Sequence, residues 1–254
     1  MDRINLAWYD TPKAVAVFSS DDRLEPTLAS LMLRYHDLIA ARDLLDLGFG
    51  TGRTTLYLGA LARSYVGIDY SPAMVAHSAL RFPHARLELG DARDLSRFAD
   101  ASFDLVLFSF CGLDALAHES RLLAVAEVAR VLRPGGAFIF STHNRDYRAA
   151  RVGPRLGISR NPVTQLVNVA RWMRSVRNHR RVRPFERECS EYALINDGAH
   201  DFQLLSYYIS NSEQRRQLER AALRLELTMD DRCGEVAPGA ANVNTPWMWY
   251  VARR

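Results

Sequence analysis

Three glycines, Gly48, Gly50 and Gly52, follow directly on the apolar run Leu44, Leu45 and Leu47. A glycine has no Cβ, so the backbone can turn sharply there and a ligand can approach it closely. Carboxylates accompany this turn: Asp46 just before it, Asp69 about 20 residues on, and Asp91 further on. An acid at the second of these places can accept hydrogen bonds from both hydroxyls of a ribose. The chemistry on offer is therefore the binding of a nucleoside-bearing ligand. Two histidines add proton-transfer capacity. His143 closes the run Ala137–Thr142, and His118 lies shortly after Cys111-Gly112-Leu113-Asp114.

These residues need strands to carry them. Leu44–Leu47, Ser64–Asp69, Leu87–Ala92 and Phe103–Phe110 read as strands, and so does Ala137–Phe140 after Leu132-Arg133-Pro134-Gly135-Gly136. Helical text separates them. Strand and helix alternate five times between residues 44 and 144, which calls for a parallel sheet with helices on both faces. Ligands of such sheets sit beyond the carboxyl ends of the strands, where the named acids fall. The helix after the glycine turn is expected to point its free N–H groups at the ligand. Ser71-Pro72 predicts a helix start, and Pro134-Gly135-Gly136 predicts a helix stop. The G-x-G-x-G spacing departs from the G-x-G-x-x-G of dinucleotide folds and argues against a nicotinamide-dependent reductase.

These five motifs, in this order, resemble the class I S-adenosylmethionine (SAM)-dependent methyltransferase family over roughly residues 30 to 144. Phe49 departs from the family, in which many members carry Cys or Ala there. The resemblance implies a Rossmann-like, seven-stranded, mostly parallel sheet, with Trp247–Ala252 as a final antiparallel strand beside the fifth. It also implies SAM as cofactor and S-adenosylhomocysteine as product. Gly48, Gly50 and Gly52 would approach the methionine part, Arg53 its carboxylate and Asp46 its amino group. Asp69 would bind the ribose, Tyr70 would lie against the adenine, and Asp91 with Ala92 would meet the adenine amino group. Ser109 and Phe110 would floor the methyl site. Tyr9 and Phe18 would cover the methionine end, although these aromatics read equally well as core packing.

The chain divides into an N-terminal helical cap (1–43), the SAM-binding core (44–144), an Arg-rich insertion or lid (145–187), and strands and a helix completing the sheet (188–254). With 254 residues, 48% of them hydrophobic, it can bury a sizeable core. No apolar run reaches the ~20 residues of a membrane span. Met1-Asp2-Arg3-Ile4-Asn5 lacks the layout of a signal peptide, so a cytoplasmic protein is expected. Cys111, Cys189 and Cys233 are too scattered for a disulfide framework, and no metal site is expected. The excess of Arg over Lys, with Lys13 the sole lysine, suggests a GC-rich bacterial genome.

Residues 145–187 hold twelve arginines against Asp146 and Glu186 in a chain whose net charge is +4, so the remainder is acidic. Val169, Trp172, Met173 and Val176 would share one helix face and Arg171, Arg174, Arg177 and Arg181 the other. Such a helix can cover an anionic substrate, rest on an acidic membrane, grip nucleic acid, or present a solvated outer face. Downstream, Glu191–Ile195, Asn196-Asp197-Gly198 and Phe202–Ile209 read as a β-hairpin. Ser210–Glu213 reads as a capping box before a Gln214–Leu225 helix.

Methyl transfer to an oxygen or nitrogen of a small, on charge grounds anionic, metabolite is the expected function. Strand four lacks the Asn/Asp-Pro-Pro-Tyr/Phe run of amino-methylating nucleic-acid and protein enzymes and the Pro-Cys pair of cytosine-C5 enzymes. His143 is the first candidate base, with His118 and Tyr207 as further catalytic candidates; His200 and Tyr208 could also reach the acceptor. The alternatives are an RNA or lipid-linked acceptor engaged through the basic segment, and a non-catalytic SAM-binding regulatory subunit. The sequence leaves the oligomeric state open.

Overall fold

Strand alternation decides the layering. In the computed structural model, which describes residues 1–254, five strands run parallel: β1 (Asp43–Leu47), β2 (Ser64–Asp69), β3 (Arg86–Leu89), β4 (Phe103–Phe108) and β5 (Leu132–Asn144). Their order is β3-β2-β1-β4-β5. Leu44, Leu105, Leu107 and Ile139 point to one face, where they meet Leu28 and Leu31 of α3 (Pro26–Arg34) and Leu58 of the single-turn α4 (Thr55–Leu58). Leu45, Leu47, Val106, Phe108, Phe138 and Phe140 point to the other face. There they meet Val125 and Val128 of α6 (His118–Val131) and Leu218 of α8 (Asn211–Arg220). A sheet buried on both faces needs such near-continuous apolar strands.

The last strand, β10 (Trp247–Arg253), pairs antiparallel with β5, and β9 (Arg224–Asp230) pairs antiparallel with β10. The core sheet is thus seven-stranded, β3-β2-β1-β4-β5-β10-β9, with one strand reversed. Chain order changes direction between β1 and β4, so a crevice opens at their carboxyl ends.

β5 has 13 residues and outruns its neighbour. It pairs with β4 as far as Phe140, while β10 follows its other edge to His143. Beyond the end of β4, the free edge at His143 and Asn144 is taken by β8 (Ser206–Ile209). β8 is the inner strand of a small antiparallel unit with β7 (Tyr192–Ile195) and β6 (Arg187–Glu188). This unit therefore stands over the crevice. α1 (Asp2–Tyr9) and α2 (Pro12–Phe18) lie near it, with Asn5 donating to the carbonyls of Ala115 and Leu205.

Several local expectations need correction. The helix after the glycine turn is one turn long, so the loop itself must supply the ligand contacts. α6 ends at Val131, and Leu132 is already extended, so Pro134 does not stop it. Instead, Arg133–Gly136 bulge out of β5, where the β4 register skips from Leu132 to Ala137. The β7–β8 connection is ten residues long, with left-handed backbone at His200, Asp201 and Phe202, and is not a tight hairpin turn. Ser210 caps α8 as its capping box predicts, accepting from the Glu213 N–H, but the helix stops at Arg220, before a left-handed Ala222. α5 (Pro72–Arg81) starts on Ser71 as expected.

The Arg-rich segment forms α7 (Pro162–Val182), a 21-residue helix. Its buried positions are Ser175, Asn178 and Val182, so it docks mainly through polar contacts. Asn178 donates to the Asp201 carbonyl, and His179 meets the Asn196 side chain at 2.7 Å. Val169, Trp172 and Val176 are half-buried, but Met173 faces solvent. The exposed apolar stripe is a different one: Val163, Leu166, Val167 and Met173.

Candidate active site

Gly48, Gly50 and Gly52 all adopt left-handed backbone, with φ of 64°, 58° and 85°. The loop they form closes on Asp69 at the end of β2, whose carboxylate accepts from the Gly50 N–H (2.8 Å) and the Ser71 N–H (2.9 Å). Burial pushes the Asp69 carboxyl up to about 6. Around the loop lies a cavity lined by Gly48, Gly50, Arg53, Asp69 and Tyr70 on one side and by Asp91, Ala92, Ser109 and Phe110 on the other. Tyr9 and Phe18 close it from the N-terminal helices, with their rings stacked 5.9 Å apart. Arg53 lies over the Phe110 ring at 4.3 Å. Asp91 is already held by Arg93, which in turn pairs with Asp2.

Two residues expected at this site lie behind it. Gly52 does not line the cavity, and a Cβ there would meet the Phe82 ring at 2.3 Å. Its role is to pack the loop onto the end of α5. Asp46 is fully buried beneath the loop. Its Oδ2 accepts from Thr54 (2.5 Å) and Tyr65 (2.6 Å), while its Oδ1 has no partner.

Burial raises the Asp46 carboxyl to about 6. The folded protein therefore keeps this proton to higher pH than the unfolded chain does. The associated stability is complete below about pH 4 and declines as pH rises through 6. Asp46→Asn is expected to shrink the loss of unfolding free energy between pH 5 and pH 7 by about 1 kcal/mol. Denaturant titrations at the two pH values measure this, and an unchanged pH dependence would show that Asp46 titrates normally.

A second chamber adjoins the first and shares Tyr9, Phe18, Phe110 and Ala115 with it. His143, carried there by the overrun of β5, lines it with Cys111, Asp114, Glu25, His200 and Trp247. His143 Nδ1 lies 2.7 Å from Asp114 Oδ2, which also accepts from the His143 N–H. The other Asp114 oxygen accepts from Thr142 (2.5 Å) and from the buried Arg121 (2.5 Å). Burial works against a charged His143, but Cys111 and Asp114 beside it hold its pKa well above the ordinary value. The ligating atoms of Cys111, Asp114 and His143 lie within 4.8 Å of one another. Both Asp114 oxygens are engaged by donors, so Asp114 orients the His143 ring, and the Cys111 thiol lies beside the pair.

His118 and Tyr207 line neither cavity. His118 Nδ1 bonds the Tyr207 hydroxyl at 2.8 Å, and its ring stacks on Tyr192. Tyr207 is fully buried under the Arg121 guanidinium. Alternation along β8 is the reason: Ser206 lines the chamber and the Tyr208 ring lies 4.9 Å from His143, so Tyr207 faces away. Sequence reasoning also missed Asp114 and Cys111 as partners of His143, because only the sheet brings positions 111–114 and 143 together. His200 lines the chamber, its ring 4.1 Å from that of Trp8.

Residues 44–136 match a family model described as a methyltransferase domain. A probable S-adenosylmethionine-dependent methyltransferase of Mycolicibacterium smegmatis is 39% identical over 106 residues, 42% of this chain and 40% of that protein. A demethylmenaquinone methyltransferase of Beutenbergia cavernae is 39% identical over 113 residues, 42% of this chain and 45% of that one. The matched stretch thus spans less than half the length of these relatives. Among solved structures, the CcbJ methyltransferase from Streptomyces caelestis superposes with a TM-score of 0.60 at 17% identity, over 92% of each chain, a likeness of fold.

Proposed function

We propose, for a chain that belongs to the class I SAM-dependent methyltransferase family, that it binds SAM in the glycine-loop cavity and methylates an oxygen or nitrogen of a small molecule in the adjoining chamber. The observation that carries this reading is the adjacency of the two cavities, which share Tyr9, Phe18, Phe110 and Ala115 in their walls, with Asp69 lining one and His143 the other.

The residues present fit SAM. Each Asp69 oxygen accepts one backbone N–H and keeps a lone pair for a ribose hydroxyl. Arg53 lines the cavity, has no ion-pair partner and suits a carboxylate, whereas Asp46, buried behind the loop, is out of reach of the cavity. The Tyr70 hydroxyl is buried at the cavity and also lacks a partner. Asp91, already held by Arg93, keeps less acceptor capacity for an adenine amino group, and the Ala92 backbone lies beside it.

Bound SAM supplies an electrophilic methyl group on a good, neutral leaving group. The protein's own work is to orient the acceptor, exclude water and hold a proton. Tyr9 and Phe18 cover the junction of the cavities. Asp114 on Nδ1 fixes the orientation of the His143 ring; the raised pKa keeps that ring protonated at neutral pH, so Nε2 takes an acceptor proton only above the ordinary histidine range, once its own proton is lost. No arginine lines the chamber; its walls are Tyr9, Phe18, Phe110 and Trp247, with the Glu25 carboxylate. They favour a flat, uncharged or cationic acceptor over an anionic one.

Calorimetric titration with SAM and S-adenosylhomocysteine tests the reading. Binding of both is expected, with the product comparable or tighter, and binding of neither by folded protein overturns it. Binding of both without turnover of any acceptor would point to the regulatory alternative.

A specific observation favours a second reading, a lipid-linked acceptor. Ile158, Val163, Leu166 and Val167 are each more than 60% exposed, and Arg155, Arg160, Arg171 and Arg174 lie nearby in the chain. An exposed apolar stripe with flanking cations suits an anionic bilayer surface. Sedimentation with phosphatidylglycerol vesicles but not with phosphatidylcholine vesicles is expected, and Leu166→Glu should reduce it. Equal recovery in the supernatant with both lipids excludes this reading.

A further inference from the structure

We infer that the acceptor carries a protonated amine, and that Glu25 with the aromatic rings beside it is what selects that amine. This rests on the two-chamber reading above and names the acceptor class for the same site.

Glu25 directly precedes α3, yet its side chain does not cap that helix. Its Oε2 instead accepts from two indoles, Trp247 Nε1 (3.2 Å) and Trp249 Nε1 (3.0 Å), and its Oε1 accepts from no protein donor. Trp249 is fully buried, so its N–H needs an acceptor, and this accounts for an oxygen at position 25. It does not account for a charge, because a glutamine oxygen would serve both indoles as well. Burial pushes the Glu25 carboxyl above its ordinary pKa, and Arg53 acts on it only at a distance, without forming an ion pair. In the loaded site Arg53 faces the SAM carboxylate, which leaves Glu25 uncompensated. A carboxylate withheld from water without a paired cation is unfavourable, and a cationic ligand offsets that cost.

The rest of the chamber suits such a ligand. No lysine or arginine lines it, and Tyr9, Phe18, Phe110 and Trp247 contribute rings. Ring faces attract an ammonium group, and an adjacent carboxylate gives it a charge-assisted hydrogen bond. Burial keeps the other two titratable groups of the wall neutral, lowering the His200 pKa and raising that of the Cys111 thiol. His143 stays protonated and is paired with Asp114, which Arg121 also holds. That cluster carries a net positive charge and repels a cation from its own wall, so the ammonium group is directed to Glu25. Glu25 and Trp247 line the acceptor chamber alone, whereas Tyr9, Phe18, Phe110 and Ala115 line both cavities. The amine seated on Glu25 is therefore a handle. The oxygen or nitrogen that takes the methyl group is a different atom of the acceptor, at the shared wall.

The test is calorimetry on the full chain saturated with S-adenosylhomocysteine at neutral pH. Two pairs of probes share a ring and differ in charge: tyramine against hydroxyphenylpropionate, and tryptamine against indolepropionate. The amine of each pair is expected to bind about 10-fold or more tightly than its acid, the effect of one charge-assisted hydrogen bond. Glu25→Gln, whose amide oxygen still accepts from Trp247 and Trp249, should abolish the preference without lowering Tm or the affinity for S-adenosylhomocysteine. Trp247→Leu removes one ring, leaves Glu25 held by Trp249, and should weaken amine binding severalfold. Acids bound as tightly as amines, no probe bound, a preference that survives Glu25→Gln, or undiminished amine binding by Trp247→Leu each overturns the proposal. S-adenosylhomocysteine binding without an amine preference is a failure of this inference alone; absence of S-adenosylhomocysteine binding is a failure of the methyltransferase reading.

Discussion

Asp69→Ala is expected to weaken SAM binding by about 10²–10⁴-fold. The carboxylate has one free lone pair on each oxygen, facing the cavity, and hydrogen bonds to a charged acceptor contribute ~1.5–3 kcal/mol each. Two such bonds correspond to that range of affinity. The substitution also releases the Gly50 and Ser71 N–H groups, so the loop could loosen. Asp69→Asn is the companion variant, because its amide oxygen can still accept one of them. Calorimetry measures affinity and thermal unfolding checks that the fold is intact. Unchanged affinity in a folded Asp69→Ala protein would sink the assignment. Because burial places the Asp69 pKa at about 6, binding to the ionised form should also weaken as pH falls through 6.

Arg121→Met is expected to cost ~3–5 kcal/mol of unfolding free energy, because removing one member of a buried ion pair strands the other. The guanidinium is fully buried. It donates to Asp114, Thr142, Gln214 and Gln217 and lies 4.5 Å above the Tyr207 ring. Without it, Asp114 keeps only Thr142 and His143 as donors in a buried site. Denaturant titration gives the magnitude. A loss below 1 kcal/mol would show that solvent or rearrangement compensates Asp114. Arg121→Lys retains the charge but not the planar fork, and should fall between the two. The same pair anchors the base: Arg121 holds Asp114, and Asp114 holds the His143 ring.

Much of the cofactor site was legible because it is local in sequence. A glycine turn, the acid ending the next strand and the residues ending the fourth strand each follow from a strand's position in a doubly wound sheet. Asp69, Tyr70, Ser109 and Phe110 therefore line the cavity together. Gly52 shows the limit: its spacing marks a turn, but only the neighbouring Phe82 ring reveals that packing, not ligand approach, needs a glycine there. Tyr207 shows another. A strand has two faces, and a one-residue choice of register decides which tyrosine meets the acceptor. In α7, helical periodicity was real, but the face that docks was chosen by the polar loop at 196–202.

By itself the sequence determined the alternation of strand and helix, the parallel sheet, the carboxyl-end crevice and its nucleoside-binding acids, because each depends on short-range pattern and on a topology with few alternatives. Tertiary structure alone decided the acceptor chamber. Arg121 reads as one more surface cation on a helix until α8, the turn after β4 and β5 close around it and remove it from water. Asp114 and His143 stand 29 residues apart and become partners only because β5 runs past β4. That meeting is a consequence of strand length and edge pairing across the sheet, and no local spacing encodes it.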